Sequence, residues 1–302
     1  MTGDTVARPG TYQEPGADMA AEIASQPDIW ERVLAEPDAI LGVLPGRTGP
    51  VVAVGCGTSY YIGDAYARRR ERTGAPTRAV IASELVRLYP GETVLVLSRS
   101  GSTGDVLAVV RQYWHEARIA GIIGTPGSPL AAACHDLVML DYADETSLVQ
   151  TRFATSALTM LRRTLGEDLS GLAASARQAL AMPLSPEGFT HFVFLGSSDG
   201  MSLAAEASLK CIEAAGVWAE AYAVNEYLHG PVAAADERSL VWALSPVPEP
   251  IAATIRSTGA TLREPSFEPQ VELVNCQRLA LALARQAGRD PDRPRYLRRS
   301  VA

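Results

Sequence analysis

Nowhere in the 302 residues does an apolar run approach the roughly eighteen that a membrane-spanning helix needs. The opening stretch MTGDTVARPGTYQEPG lacks the apolar segment of a secretory signal and is expected to be unstructured, so a cytoplasmic protein is expected. The four cysteines, Cys56, Cys134, Cys211 and Cys276, form no C-x-x-C pair. That removes the zinc and redox-motif readings and leaves reduced, buried thiols. Basic residues are too few for a nucleic-acid or anionic-membrane face, since 27 Lys and Arg stand against 34 Asp and Glu for a net charge of −7. A G-x-S-x-G elbow, an H-E-x-x-H pair and a paired-Asp motif are missing too, so neither a Ser-His-Asp triad nor a metal is expected, and no cofactor is called for. With 47% hydrophobic and 20% charged residues, the remaining class is a soluble globular chain long enough for two domains.

Twice in the first third an apolar run ends in a loop of Gly, Ser and Thr and passes straight into a helical pattern: VVAVGCGTSYYIGDAYARRR at 51–70 and TVLVLSRSGSTGDVLAVVRQYW at 93–114. A helix N-terminus presents unpaired N–H groups and the positive end of a dipole, and hydroxyl side chains add donors, so each loop is a candidate phosphate cradle. In the first, Gly55 and Gly57 allow close backbone approach while Thr58 and Ser59 supply hydroxyls. In the second, Ser98, Ser100, Ser102 and Thr103 surround Gly101. The same residue types also serve a plain strand-to-helix turn. GCGTSY lacks the third glycine of the dinucleotide fingerprint and neither loop contains GK[ST], so a small phosphorylated metabolite is expected rather than a nucleotide.

Apolar strand patterns at 51–54, 79–82, 93–97, 119–123 and 137–140 alternate with helical ones at 62–72, 104–117 and 129–134, the signature of a parallel sheet covered on both faces. Ahead of them a helix is expected from Ala17, broken at Pro27 and resumed as DIWERVLAE. A long helix is expected over 147–165, then a helix and linker over 166–188. The pattern restarts with HFVFLG at 191–196, a helix in AAEASLKCIEAAG, strands near 217–220, 239–244 and 259–263, and a last helix at 271–286. The repeated order of strand, small polar loop and helix predicts an internal duplication of fold. The second copy has fewer hydroxyls, so the first is expected to hold the phosphate.

Polar groups concentrate in AAEASLKCIEAAGVWAEAYAVNEYLHGP, 204–231, where Glu206, Lys210 and Glu213 are spaced four and three apart on one helical face. Such a row is either a solvated ion-pair ladder or a set of reacting groups, and the Ala, Leu, Cys and Ile around it favour the second. His229, ahead of Gly230 and Pro231, is placed to aim an imidazole at a sugar ring oxygen. His115, His135 and His191 show no acidic or hydroxyl neighbours arranged for catalysis and read as surface or strand-edge residues.

At these residues the chain resembles the sugar isomerase (SIS) domain family, specifically the isomerase half of glutamine–fructose-6-phosphate aminotransferase and the related aminosugar-phosphate isomerases and deaminases. The matching pieces are EIASQP at 22–27, GCGTSY at 55–60, ASE at 82–84, LSRSGSTGD at 97–105, ETSLVQTRFATSAL at 145–158, FLG at 194–196, LKCIEAAGVWAEAYAVNEYLHGP at 209–231 and DPDRPRYLRRSVA at 290–302. The resemblance implies an α/β protein of two SIS domains, each a five-stranded parallel sheet flanked by helices in a flavodoxin-like three-layer sandwich. An N-terminal extension and first helix (1–30) would precede a first domain with the phosphate loops (31–175), a second domain (176–286) and a tail over the active site (287–302). It further implies a homodimer with the site at its interface. Thr58, Ser59, Ser98, Arg99, Ser100 and Thr103 would hold the sugar phosphate, and Gln150 and Arg299 would line the pocket. Glu213 would move a proton between the first and second sugar carbons, the partner's His229 would assist ring opening, and Lys210 and Glu206 would line the same site.

Such chemistry is an aldose–ketose shift through an enediol or enolamine, driven by a carboxylate whose pKa an apolar pocket raises. The chain departs from the family in three ways. It is expected to lack the glutaminase half, so that glutamine is not its ammonia source. Arg99 stands where the aminotransferase commonly has Gln, and either pairs with phosphate or points to solvent. Arg299 stands where the aminotransferase has the tail lysine that forms an imine with the open-chain sugar, and an arginine cannot. The expectation is a phosphosugar isomerase or aminosugar-phosphate deaminase acting on a hexose 6-phosphate type of substrate, with a non-catalytic sugar-phosphate binding module as the alternative.

Overall fold

A computed structural model describes residues 14–299; residues 1–13 of the opening expected to be unstructured and the last three tail residues lie outside them, whereas Gly16, at the end of that opening, is hydrogen-bonded to Asp290. Five strands, β1 (Val51–Gly55), β2 (Thr77–Ile81), β3 (Thr93–Ser98), β4 (Ile119–Ile123) and β5 (Asp136–Met139), form one parallel sheet in the order β2-β1-β3-β4-β5. That is the doubly wound, flavodoxin-like order, which places a ligand crevice at the C-terminal ends of β1 and β3, where the winding reverses. Both hydroxyl loops leave the sheet at those two ends. A second parallel sheet runs β7-β6-β8-β9, from β6 (His191–Gly196), β7 (Ala219–Ala223), β8 (Ser239–Ala243) and β9 (Thr261–Arg263). It has four strands where five were expected. After β9 the chain reads EPSFEP, whose Pro265 and Pro269 cannot donate to a ladder, and enters a long helix at once.

Alternation along each strand sorts the apolar side chains. Val51 and Ala53 of β1 face a central core, while Val52 and Val54 face an outer layer with Val106 and Val110 of α3 (Gly104–Tyr113). The central core takes residues from both sheets, among them Leu95, Ile122, Phe192 and Trp242, and from the helices between them. Those helices are α1 (Ala17–Ala35), α2 (Thr58–Glu71), α5 (Arg152–Thr164), α6 (Leu172–Ala181), α7 (Asp199–Ala215) and α9 (Pro269–Gln286). The short α4 (Pro129–Ala133) joins the outer layer of the first sheet, and α8 (Glu249–Ser257) covers the outer face of the second. The expected boundaries at 30/31 and 175/176 fall inside α1 and α6.

Two helices differ from expectation. α1 runs unbroken through the buried Pro27. The N–H that proline lacks would have bonded to the Ile23 carbonyl, and the Gln26 side chain donates there instead, Nε2 to O at 3.2 Å. α5 begins at Arg152 rather than 147, because Glu145 reaches forward to accept from the Thr151 and Arg152 amides at 2.5 and 2.8 Å and so caps the helix.

The C-terminal tail is fastened by charges at both ends. α1 follows Gly16, which has no capping side chain. Its first amides are bonded from the far end of the sequence: Asp290 Oδ1 accepts from Gly16 N at 3.0 Å, and Asp292 accepts from Asp18 N and Met19 N at 3.0 and 2.9 Å. Arg289 donates to the Ala215 carbonyl at the end of α7, and Arg299 lies 3.0 Å from both carboxylate oxygens of Asp144. Asp290 and Asp292 sit at the N-terminal pole of α1 and Arg289 at the C-terminal pole of α7, the favourable pole for each charge. Asp292→Ala is expected to cost about 1–2 kcal/mol of unfolding free energy in urea titration, the usual effect of losing a cap, with Asp292→Asn retaining most of it. An unchanged midpoint in the alanine variant would count against the tail as the cap of α1.

Candidate functional site

Lys210 is the only lysine in the chain; the other residues among its 27 Lys and Arg are arginines. It projects from α7 toward the first turn of α2 and is fully buried. Its ammonium donates to Thr58 Oγ1 at 2.9 Å and to Glu213 Oε2, and lies 3.5 Å from Glu206 Oε1. Helical spacing accounts for the carboxylates, one turn to either side on the same face. The tertiary fold adds Thr58, 152 positions away. Three hydrogen-bonding positions on a tetrahedral ammonium suit this nest, whereas a planar guanidinium would not fit among them. The row is therefore an interior cluster, not a solvated ladder.

The carboxyl whose pKa burial raises is Glu206, pushed up to about 8, with Lys210 opposing and Glu213 adding to the rise. Glu206 is wholly buried, whereas the Glu213 side chain is 22% exposed at the edge of a cavity. The arrangement places a buried carboxyl of raised pKa, an ammonium and a partly exposed carboxyl side by side.

The hydroxyl loops hold their shape by internal bonds. Gly57 has φ 53° and leads into α2; Gly101 has φ 61°, and a β-carbon there would meet the Ser128 hydroxyl at 1.9 Å. Ser98 Oγ accepts from Gly101 N at 3.0 Å, and Ser100 Oγ accepts from Ser102 N at 3.3 Å. Thr58 Oγ1 likewise accepts from Lys210. A hydroxyl that accepts in this way keeps its own proton for a further acceptor, so all three can still donate to an anion. Thr58 and Ser59 are buried at the start of α2, and Thr103 is half-buried at the start of α3.

The second sheet offers an instructive contrast. Ser198, ahead of α7, has φ 54° and ψ −126°, the same backbone shape as Gly57 with its ψ of −126°. Yet α7 opens on Asp199, whose carboxylate is paired with Arg69 at 2.6 Å and Arg72 at 2.7 Å. That helix end carries its own anion, while α2 has no acidic residue in its first turn. The expectation that the first loop is the phosphate-binding one gains a physical reason.

Other expected site residues fall differently. Arg99 does not point to solvent: it is buried and donates to the Ser147 carbonyl. Burial lowers its pKa from the usual arginine value, with Glu145 the largest opposing influence. Arg299 stays exposed on Asp144, which also accepts from the Thr125 hydroxyl at 3.1 Å at the end of β4. His229 is exposed after β7 and makes no side-chain hydrogen bond or ion pair among the described residues. Gln150 is half-buried, and its Oε1 is enclosed without a hydrogen bond, as are Glu145 Oε2, Arg99 Nε and both Glu206 oxygens.

His191, read from sequence as lacking polar neighbours, has two: Ser239 Oγ at 2.9 Å from Nδ1 and Glu220 Oε2 at 3.3 Å from Nε2. It cross-links the starts of β6 and β8 to β7, and the buried Ser239 also bonds to Asp236. Cys211 and Cys276 are buried and Cys56 and Cys134 partly so, all of them free thiols. Among the described residues no group of three or more His, Cys, Asp or Glu is placed to hold a metal ion, and no helix is long and apolar enough to cross a membrane.

Sequence reasoning missed Glu22 and Glu145. Glu22 Oε1 accepts from Thr146 N and Ser147 N at 2.6 and 3.2 Å, fastening the segment that carries Gln150. Burial first and then Glu145 raise the Glu22 pKa to about 7. A glutamate within the apolar stripe of Met19, Ile23 and Trp30 was the available signal. For Glu206, the folded-state pKa of about 8 lies above the ordinary carboxyl value of 4.5. Its contribution to stability is complete below the lower value and is lost as pH rises through the upper one. The melting temperature of Glu206→Gln minus that of wild type is therefore expected to climb from about pH 4.5 to about pH 8 and to level off above it. A pH-independent difference would mean that the buried carboxyl is already ionised.

No protein-family model matches the chain. A glutamine–fructose-6-phosphate aminotransferase from Pseudomonas putida is 30% identical over 275 residues, 76% of this chain and 44% of that protein. The chain spans from 37% to 62% of the length of such curated relatives. Among solved structures, a glucosamine-6-phosphate deaminase from Thermotoga maritima superposes with a TM-score of 0.81 at 24% identity, covering 94% of this chain and 99% of that one. The C-terminal domain of a glucosamine-fructose-6-phosphate aminotransferase from Francisella tularensis gives 0.79 at 22% identity, covering 93% and 98%. The chain is a relative of the glutamine–fructose-6-phosphate aminotransferases and shares the fold of their C-terminal domain, consistent with the SIS isomerase domain that its motifs resemble.

Proposed function

We propose that the protein interconverts the aldose and ketose forms of a hexose 6-phosphate, or isomerises and deaminates the corresponding aminohexose 6-phosphate, by moving a proton between the first and second sugar carbons. The observation that carries this reading is the Lys210 ammonium bonded at once to Thr58 of the hydroxyl loop and to Glu213. It sets the phosphate grip and the base at a fixed spacing. Thr58, Ser59, Ser98, Ser100 and Thr103 hold the phosphate, which anchors one end of the open chain and brings the reacting carbons to Glu213. Glu213 takes the proton from one carbon; the C–H electron pair becomes the carbon–carbon double bond of an enediol or enolamine, and the carbonyl oxygen takes a proton from the Lys210–Glu206 side. Glu213 then returns its proton to the neighbouring carbon, while the hydroxyl or amine on the carbon first deprotonated gives a proton back to the Lys210–Glu206 side and becomes the new carbonyl or an imine. Water hydrolyses the imine to the ketone with release of ammonia. A second copy of the chain brings His229 to the ring oxygen.

An imine with the protein has no place in this scheme. Arginine at 299 cannot form one, and the single lysine is buried and fully engaged. Arg299 removes one route to a covalent intermediate but leaves the acid–base cluster whole, which favours an enzyme over a binding module. Incubation of glucose, fructose and glucosamine 6-phosphates in deuterium oxide should place deuterium at the second or first carbon of at least one of them. Glu213→Gln should slow that exchange by at least about 10²-fold, the scale of a lost general base, while sparing binding. Borohydride added during turnover should leave no sugar on Lys210. No exchange with any substrate refutes the isomerase reading, and a reduced adduct on Lys210 refutes the imine-free route.

A further inference from the structure

Arg99 stands between Ser98 and Ser100, two of the hydroxyl residues assigned to the phosphate grip, yet its own side chain is buried and turned to the Ser147 carbonyl. Its backbone is fixed as well. The Arg99 carbonyl accepts from Gly124 N at 3.2 Å and Thr125 N at 2.9 Å at the end of β4, and a β-carbon on Gly124 would lie only 2.9 Å from it. A buried guanidinium is costly unless its charge is met, and here the bond to Ser147 and the charge of Glu145 meet it. Swinging outward would leave the carbonyl of the fully buried Ser147 without its donor. A residue from the middle of the anion loop thus places its charge behind that loop.

Ser147 is held from the other side. Glu22 of α1, itself buried, accepts from Thr146 N at 2.6 Å and Ser147 N at 3.2 Å through one carboxylate oxygen. One enclosed peptide segment therefore has its N–H groups on α1 and its carbonyl on the phosphate loop, and it leads through Gln150 into α5. A site that presents hydroxyls at fixed spacing needs such support, since its groups bind well only when the surrounding hydrogen bonds lock them in place.

Resting on the reading of 98–103 as part of the phosphate grip, we infer that Arg99 is a positioning residue: through Ser147 it braces the loop against Glu22 and α1, and so fixes where Ser98 and Ser100 offer their hydroxyls to the phosphate. It acts from behind the loop and not as a ligand of the anion. Isothermal titration with inorganic phosphate and with fructose, glucose and glucosamine 6-phosphates, well below the melting temperature, tests this. Arg99→Met, which keeps side-chain length without the donors, should weaken binding by about tenfold, the low end of what a hydrogen bond to a charged group is worth. Arg99→Lys can still donate to the Ser147 carbonyl and should restore most of the affinity. Glu22→Leu suits the apolar stripe of α1 and lies outside the loop, yet it should weaken the same ligands. In the Arg99→Met background it should add little, because both act through one peptide. Should Arg99→Met not fold, Glu22→Leu alone carries the expectation. Wild-type affinity in folded Arg99→Met overturns the inference by making Arg99 a residue of stability alone; wild-type affinity in Glu22→Leu overturns it by making Arg99 a direct phosphate ligand. A wild-type protein that binds none of the four probes overturns the reading of the loops themselves.

Discussion

An ammonium sealed away from water must have its charge met locally, and around Lys210 the protein does so with groups from distant parts of the chain. Thr58 comes from the first sheet's loop and Glu206 and Glu213 from α7. Leaving such a charge unmatched would cost several kcal/mol, so the contact between α2 and α7 is dictated as much by this cluster as by apolar packing. The cluster also explains why lysine persists at this one position in a chain that otherwise uses arginine. Only a compact, tetrahedral donor fits among three oxygens in a sealed space.

The same accounting distinguishes the two sheets. Their first loops share a backbone shape, but Asp199 occupies the N-terminal pole of α7 and ties it to Arg69 and Arg72, so that this end works as a joint between α2 and α7. The matching pole of α2 has no such carboxylate. A difference of one side chain at the first helical turn separates a structural contact from a candidate anion site. The tail completes the arrangement with three polar fastenings, at α7, at α1 and at Asp144, that carry it from the second sheet's side to the end of β5 in the first.

Much of this was legible beforehand. The parallel strands are nearly continuous apolar runs bounded by small polar loops, so nine of them could be placed within a few residues. Glu206, Lys210 and Glu213 could be put on one face because helical spacing is local. Where reading failed, the deciding partner was far away in sequence or the compensation was a side chain. Pro27 did not break α1 because Gln26 took over the Ile23 carbonyl, α5 started late because Glu145 capped it, and His191 found Ser239 and Glu220 only when β6, β7 and β8 came together.

Composition and periodicity by themselves determined an α/β protein with parallel sheets, two hydroxyl loops ahead of helices, and a polar row on an apolar helix, since all of these follow from patterns within about twenty residues. Only the tertiary structure decided that the lysine is sealed against Thr58, that Glu206 is the carboxyl whose pKa burial raises, that Arg99 turns inward to Ser147, and that Arg293 and Arg295 of the tail line the same cavity as Glu213. Burial and the pairing of charges depend on which distant segments meet, and that is a property of the packed chain.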